Sequence, residues 1–215
     1  ENFGLTNKPI MKSLHISLAV LFAAVLTLNV QAQEEGSKEM ATYGVGVGIS
    51  PFGPSVNFSH HLSAKTTIQV GVGAFSGDNP TDLEIGGATF SGTGETNWMG
   101  IFLNHRPFED YDWIRFNVGI GIGGIEGTLT DVNDPTHSYA ARYDNNPVGY
   151  VGIGVGSRPI KGVTVGFDIG GLHTSGADIT ATGTTVNAEV LEEITNTLGY
   201  GRVLPNLQLS VGYGF

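Results

Sequence analysis

The sequence predicts an all-β fold: an eight-stranded antiparallel up-and-down transmembrane β-barrel with a short helix in its last external loop. Two observations lead to this prediction. Apolar residues alternate with glycine or polar residues along eight segments, and the connectors between these segments alternate in length. A closed sheet pairs all of its backbone groups, as hydrocarbon surroundings require. A secreted β-sandwich is the alternative, but it gives no reason for loop lengths to alternate.

The last segment shows the alternation most clearly. Successive side chains of a strand point to opposite faces, so residues two apart share a face. One face is then suited to lipid, and the other to a tight or polar interior. The apolar face carries Leu207, Leu209, Val211, Tyr213 and Phe215, and the other face carries Gln208, Ser210, Gly212 and Gly214.

Most of the eight segments approach the 9–11 residues that a tilted strand needs to cross a bilayer. The fourth segment leaves its phase open, because Trp98 and Phe102 oppose Met99 and Ile101. The segments are 41–50, 55–63, 66–75, 96–106, 113–127, 147–157, 163–173 and 204–215.

The connectors predict the orientation of the barrel. The first link, 51–54, is short, and the later ones then alternate between short turns and long loops. Short turns on the periplasmic side and long loops outside are typical of bacterial barrels. The short turns are 63–65, 107–112 and 158–162, and the long loops are 76–95, 128–146 and 174–203.

The N-terminal region predicts export. Residues 11–32 have a short basic start, an apolar stretch and small residues before a cleavage point after Ala32, which is typical of a signal peptide. A transmembrane helix is the alternative. Residues 1–10 fit no targeting pattern, and we set them aside as a mis-assigned start or cloning-derived residues. The barrel domain is predicted to span 33–215.

Composition limits the classes of function. The formal net charge of −10 argues against a nucleic-acid partner, which normally requires a basic face. The chain has no cysteine, which excludes disulfides and thiolate metal sites. The chain contains 33 glycines, and within three apolar segments (44–48, 119–123 and 152–156) glycine recurs at every second position. Because glycine weakens a strand, this use indicates a space too narrow for larger side chains.

A short helix is predicted in the last long loop. Asn187 can cap it, Glu189 suits its first turn, and Gly199 suits its end. An apolar stripe of Val190, Leu191, Ile194 and Leu198 would face the protein. We expect this helix to form a ledge packed on the barrel rim, with partner binding as the alternative.

The whole region after residue 32, with its eight alternating strands, sorted loops and terminal Phe215, resembles small bacterial outer-membrane β-barrel proteins of the OmpA-domain, OmpX and OmpW type. The resemblance implies location in the outer membrane of a Gram-negative bacterium, in contact with lipid and lipopolysaccharide. It also implies that the outer-membrane assembly machinery reads the last strand through Leu209, Val211, Tyr213 and Phe215. The resemblance is architectural and brings no substrate-defining motif.

Strand phase predicts a polar cluster in the lumen. A buried charge there must be paired, so we expect Arg115 to contact Asp168, with Arg106 as a candidate third member. A structural plug is one interpretation of the cluster, and a pore constriction or small-ligand site is the other. The cluster comprises His61, Asn104, Arg106, Arg115, Asp168 and Gln208.

Three functions remain open. The first is a non-enzymatic barrel with a structural or surface-interaction role, and the second is a narrow pore or carrier for a small solute, with an apolar solute as one case. The third is a membrane-facing hydrolase, because His173 and Ser175 resemble the His-x-Ser of the lipid A deacylases, with Glu189 to orient the histidine. Gly176 departs from that family's pattern. No cofactor or metal site is predicted, although Asp131 and Asp134 weakly resemble the start of a calcium loop.

Overall fold

The computed structural model describes residues 39–78, 82–143, 147–184, 186–196 and 201–215. The predicted signal peptide 11–32, residues 1–10, Leu198 and Gly199 lie outside the described residues. Within the described ranges, no helix has the length and apolar character needed to span a membrane.

The chain forms eleven strands and one helix within these ranges. The strands are β1 Tyr43–Ser50, β2 Gly53–His61, β3 Thr66–Asp78, β4 Leu83–Ile85, β5 Ala88–His105, β6 Ile114–Asp131, β7 Ser138–Tyr143, β8 Val148–Gly156, β9 Gly162–His173, β10 Asp178–Ala181 and β11 Val203–Gly214. The helix α1 is Ala188–Asn196.

Eight of these strands form a closed antiparallel ring in the order β1-β2-β3-β5-β6-β8-β9-β11. The closing pair joins β1 to β11, with Gly44 opposite Gly214 and Ile49 opposite Leu209. Beyond this ladder, the Phe215 amide donates to the Tyr43 carbonyl at 2.9 Å. The predicted eight-stranded barrel is therefore confirmed.

The ring is apolar outside and polar inside, as in a membrane barrel. Ile120 is 68% exposed on the outer face, while Asn117 is 3% exposed on the inner face. In the fourth predicted segment, now part of β5, Met99 and Ile101 point outward. Val165 departs from the predicted pattern, because it is buried where the Ser157 side chain and backbone bond to it.

The long loops are more ordered than the sequence predicts. β5 and β6, each 18 residues long, continue beyond the ring as a pair. β4, β7 and β10 extend this pair into a five-stranded sheet in the order β4-β5-β6-β7-β10. Helix α1 contacts both edge strands of this sheet, β4 and β10. We call these five strands and α1 the external unit. The helix therefore packs on a sheet of the loops, where the sequence predicted a ledge on the barrel rim.

The external unit has its own hydrophobic core. Its side chains are between 0% and 5% exposed, and they come from both the sheet and the helix. Phe90 and Tyr139 meet edge to face, with ring centroids 5.9 Å apart. The core consists of Ile85, Phe90, Leu129, Tyr139, Val190 and Ile194.

Local sequence explains the ends of the elements in this unit. Gly86 and Gly87 have φ values of 58° and 76°, so they form the tight turn between β4 and β5 that requires left-handed backbone. The Asn187 Oδ1 accepts the backbone N–H groups of Glu189 and Val190 at 2.9 and 3.4 Å. Asn187 is thus the N-cap of α1, as predicted.

Candidate functional site

The lumen of the ring contains two cavities separated by a layer of polar side chains. The outer cavity, on the side of the external unit, has a volume of about 100 Å³. The inner cavity, on the side of the short turns, has a volume of about 90 Å³. Asn57, Gln69 and Asn104 line both cavities and therefore lie between them.

The polar layer is built around an ion pair between β6 and β9, which lie on either side of β8 in the ring. The Arg115 guanidinium donates to both oxygens of Asp168, with Nε–Oδ1 at 3.0 Å and Nη2–Oδ2 at 2.6 Å. The Asn117 side-chain amide donates to Asp168 Oδ1 at 2.5 Å. The predicted contact between Arg115 and Asp168 is present, and it is the bidentate arrangement that holds a guanidinium most firmly.

Glycines make this ion pair possible. A Cβ atom on Gly166 would lie 2.6 Å from Arg115 Nη2, and one on Gly154 would overlap Asp168 Oδ1. The two strands that carry these glycines, β8 and β9, are paired, with Gly154 opposite Asp168. The narrow space indicated by the glycine pattern is therefore filled by the charged side chains of β6 and β9.

Other members of the predicted cluster lie apart from this pair. Arg106 does not join Asp168: its Nη2 donates to the Ser157 carbonyl at 2.9 Å, at the inner cavity. His61 Nδ1 lies 2.8 Å from the Thr67 hydroxyl. Asn104 donates to Gln69 Oε1 at 3.1 Å, and Gln208 lines the outer cavity. The six residues of the predicted cluster therefore do not form a single contact network, and they lie at different depths along the lumen.

A row of three aromatic side chains crosses the outer cavity. Phe102 meets Trp98 and Tyr150 edge to face, with centroid distances of 6.4 and 5.6 Å. Tyr150 lines the outer cavity, so its ring faces the lumen. Gly73 and Gly170 again provide the room, since a Cβ on either would meet the Trp98 ring or the Tyr150 hydroxyl at 2.5 to 2.6 Å.

Sequence reasoning missed Asn206 and Thr67 as buried lumen residues. The signal was available, because Asn206 has the same strand parity as Gln208, and Thr67 the same as Gln69. The aromatic row was harder to find, since both faces of the fourth segment carry large apolar residues.

The residues of the hydrolase alternative are not assembled by the described structure. His173 ends β9 and is exposed, and Ser175 lies exposed in the following turn, where its hydroxyl is 3.5 Å from the Gly176 carbonyl. Glu189 lies exposed in the first turn of α1. Within the described part of the chain, no hydrogen bond joins any two of these three side chains.

The acidic turn after β6 is held by its own carboxylates. Asp131 Oδ1 accepts the Asn133 amide at 2.8 Å, and Asp134 Oδ1 accepts the Thr136 amide and hydroxyl at 3.0 and 2.7 Å. These bonds from Thr136 hold the pKa of Asp134 below its ordinary value. The described residues include no group of three or more His, Asp or Glu side chains arranged to hold a metal ion.

The outward face of the external unit carries a row of charges across four strands. Glu95 lies opposite Glu126, which lies opposite Arg142, which lies opposite Asp178. Arg142 Nε is 3.3 Å from Glu126 Oε1. These side chains, together with Asp78, line a concavity of about 700 Å³.

The predicted assembly residues occupy the outer face of β11 near the short-turn end. Val211, Tyr213 and Phe215 are about half exposed, and Leu209 is less so. The Phe215 ring lies 6.3 Å from Tyr43 on the neighbouring strand, within a belt of aromatic side chains at this end. The belt also includes Phe58, Phe108, Tyr111, Trp113 and Phe116.

An antiparallel ring of eight strands, apolar outside and polar inside, defines the class of protein: the chain has the transmembrane fold of the small outer-membrane β-barrels. It is similar to Acinetobacter baumannii CarO, with 13% identity and a TM-score of 0.58 over 82% of this chain and 98% of that chain. It is also similar to Acinetobacter baumannii CarO2, with 14% identity and a TM-score of 0.60 over 82% and 100%. No protein-family model and no curated protein matches the chain. At these identities the likeness shows the fold alone.

Proposed function

We propose that the chain is an integral outer-membrane barrel that acts through its external unit, in a structural or surface-interaction role at the cell surface. The hydrophobic core of the external unit carries this proposal. Six side chains that are at most 5% exposed are packed outside the ring. Closing the barrel requires none of them, so the core indicates a rigid structure that serves a purpose of its own.

The charge row on the external unit supports contact with a partner of positive charge. Glu95 and Glu126 are direct cross-strand neighbours, and like charges at such positions destabilise a sheet. One guanidinium, that of Arg142, faces four carboxylates around the concavity. A cationic group bound there would relieve this repulsion.

A binding measurement tests the surface role. The full chain, refolded in nanodiscs, should bind a lysine-rich peptide with an affinity that falls as salt rises, because exposed charges are screened. The double variant Glu95→Gln, Glu126→Gln should bind the peptide severalfold more weakly. Glu109→Gln, at the short-turn end, is the matched control. Equal affinity of all three proteins would contradict the role of this face.

The side chains in the lumen favour a barrel that is closed to the steady flow of solutes. The polar layer is the barrier to this flow. Planar-bilayer recording of the refolded protein should show no steady conductance. Arg115→Ala should also show no steady conductance, because Asn57, Gln69 and Asn104 still fill the lumen between the two cavities. A steady wild-type conductance would refute closure.

A narrow pore or carrier is the second candidate, and the two cavities along the lumen favour it. In that case only the polar layer separates the two ends of a path. The same recordings distinguish the candidates, since a carrier or gated path requires Arg115→Ala to conduct, whereas a filled barrel stays silent in both proteins.

A further inference from the structure

The inner cavity has an unusual charge. Arg106, Arg115 and Arg158 all line it, and no carboxylate does so among the described residues. The protein as a whole has a formal net charge of −10. The positive lining is therefore a local arrangement, opposite in sign to what composition alone would place there.

Two of the three guanidinium groups have their own carboxylate partners. Arg115 is held by Asp168, as described above. Arg158 Nε lies 2.5 Å from Asp112 Oδ2 at the edge of the cavity. Asp168 and Asp112, the two carboxylates that attract Arg106 electrostatically, are therefore already paired with other arginines.

Arg106 is the group without such a partner. Its residue is 4% exposed, and within the described part of the chain no carboxylate oxygen lies within 4.0 Å of its guanidinium. Its Nη2 bonds to the Ser157 carbonyl, but its buried Nε has no acceptor among the described residues. Asp112 and Asp168 act on Arg106 only through space.

Burying the Arg106 guanidinium in this way destabilises the folded protein unless an anion binds beside it. A buried ion without a counter-charge loses solvation that a single carbonyl contact does not restore. Around the cavity, three guanidinium groups face two carboxylates, which leaves one positive charge in excess. One singly charged anion would balance it.

We propose that the inner cavity binds a small oxyanion, a phosphate or a carboxylate, with the Arg106 guanidinium as its principal ligand. The guanidinium fork suits both kinds of oxyanion. The hydroxyls of Ser59 and Thr164 also line the cavity and can donate to further oxygens. A volume of about 90 Å³ has room for roughly six water molecules, which is enough for an ion of this size.

Calorimetric titration of the refolded full chain in detergent micelles tests the proposal. Inorganic phosphate and acetate are titrated separately, at an ionic strength held constant with sodium chloride. We expect saturable binding of at least one of them to the wild type and at least a tenfold loss of affinity in Arg106→Gln. Arg202→Gln, at an exposed arginine that does not line this cavity, should bind as the wild type does.

The two titrants identify the ligand class. Binding of phosphate alone identifies a phosphate site, and binding of acetate shows that the site takes carboxylates. Absence of saturable binding to the wild type, or equal affinity in Arg106→Gln, would overturn the proposal. If Arg106→Gln does not refold, Arg106→Lys decides: it keeps the charge but loses the planar guanidinium fork, so unchanged affinity would refute the guanidinium as the principal ligand.

Discussion

At the scale of single residues, Asp168 holds the polar layer together. It accepts two hydrogen bonds from Arg115 and one from Asn117, and it is 7% exposed. Asp168→Ala leaves a buried guanidinium unpaired, so the free energy of unfolding should fall by about 3–5 kcal/mol. Urea unfolding in detergent measures this change. Asp178→Ala, which removes an exposed carboxylate, is the control, and an unchanged unfolding curve for Asp168→Ala would rule out a stabilising ion pair.

Gly154 provides a second test at this scale. A Cβ atom there would overlap Asp168 Oδ1 and lie 3.0 Å from Arg115 Nε, so Gly154→Ala should destabilise the barrel by about 1–3 kcal/mol. Gly149→Ala lies on the same strand, where an added Cβ meets no atom within 4 Å. Its stability should stay within about 0.5 kcal/mol of the wild type. Equal urea-unfolding midpoints for Gly154→Ala and Gly149→Ala would show that the lumen tolerates the added Cβ atom.

At the scale of elements, α1 and the five-stranded sheet depend on each other. Ile194 is 0% exposed in their shared core. Ile194→Ala should cost the external unit about 2–5 kcal/mol, because it leaves a cavity between helix and sheet. Since the ring has its own hydrogen-bond network, the barrel strands should be unaffected.

Amide hydrogen exchange can show whether Ile194→Ala destabilises the external unit and leaves the barrel strands intact. In Ile194→Ala, amides of β7 and β10 should lose protection, while those of β1 and β11 keep it. Val186→Ala, next to the cap but 62% exposed, should exchange like the wild type. Loss of protection throughout the chain would mean that the external unit and the ring unfold as one.

At the scale of the whole molecule, the two ends of the barrel should face different compartments. The chain has no cysteine, so single cysteines report position without background. Ser91→Cys, on the external unit, should react with a membrane-impermeant maleimide in intact cells. Asp110→Cys, in a short turn, should react only after the outer membrane is permeabilised. The reverse pattern would invert the orientation.

Sequence by itself determined the barrel. Membrane strands require only a period of two between apolar and small or polar residues, and that pattern is local. Seven of the ring strands were therefore found to within about four residues at each end, whereas β5 begins at Ala88, well before the predicted segment 96–106. The pairing of Arg115 with Asp168 also followed, because parity and depth placed both charges in one narrow lumen. The Asn187 cap followed for the same reason, since it depends on residues next to it in the chain.

Tertiary structure decided what fills the lumen and what stands outside it. β4, β7 and β10 have three, six and four residues, and they are strands only because the long β5–β6 pair offers edges to bond to. Trp98, Phe102 and Tyr150 form one row because the register of neighbouring strands brings glycines opposite them. Arg106 lies away from Asp168 because the turn after β8 presents the Ser157 carbonyl to it. In each case the deciding partner is distant in sequence, and a local pattern carries no information about it.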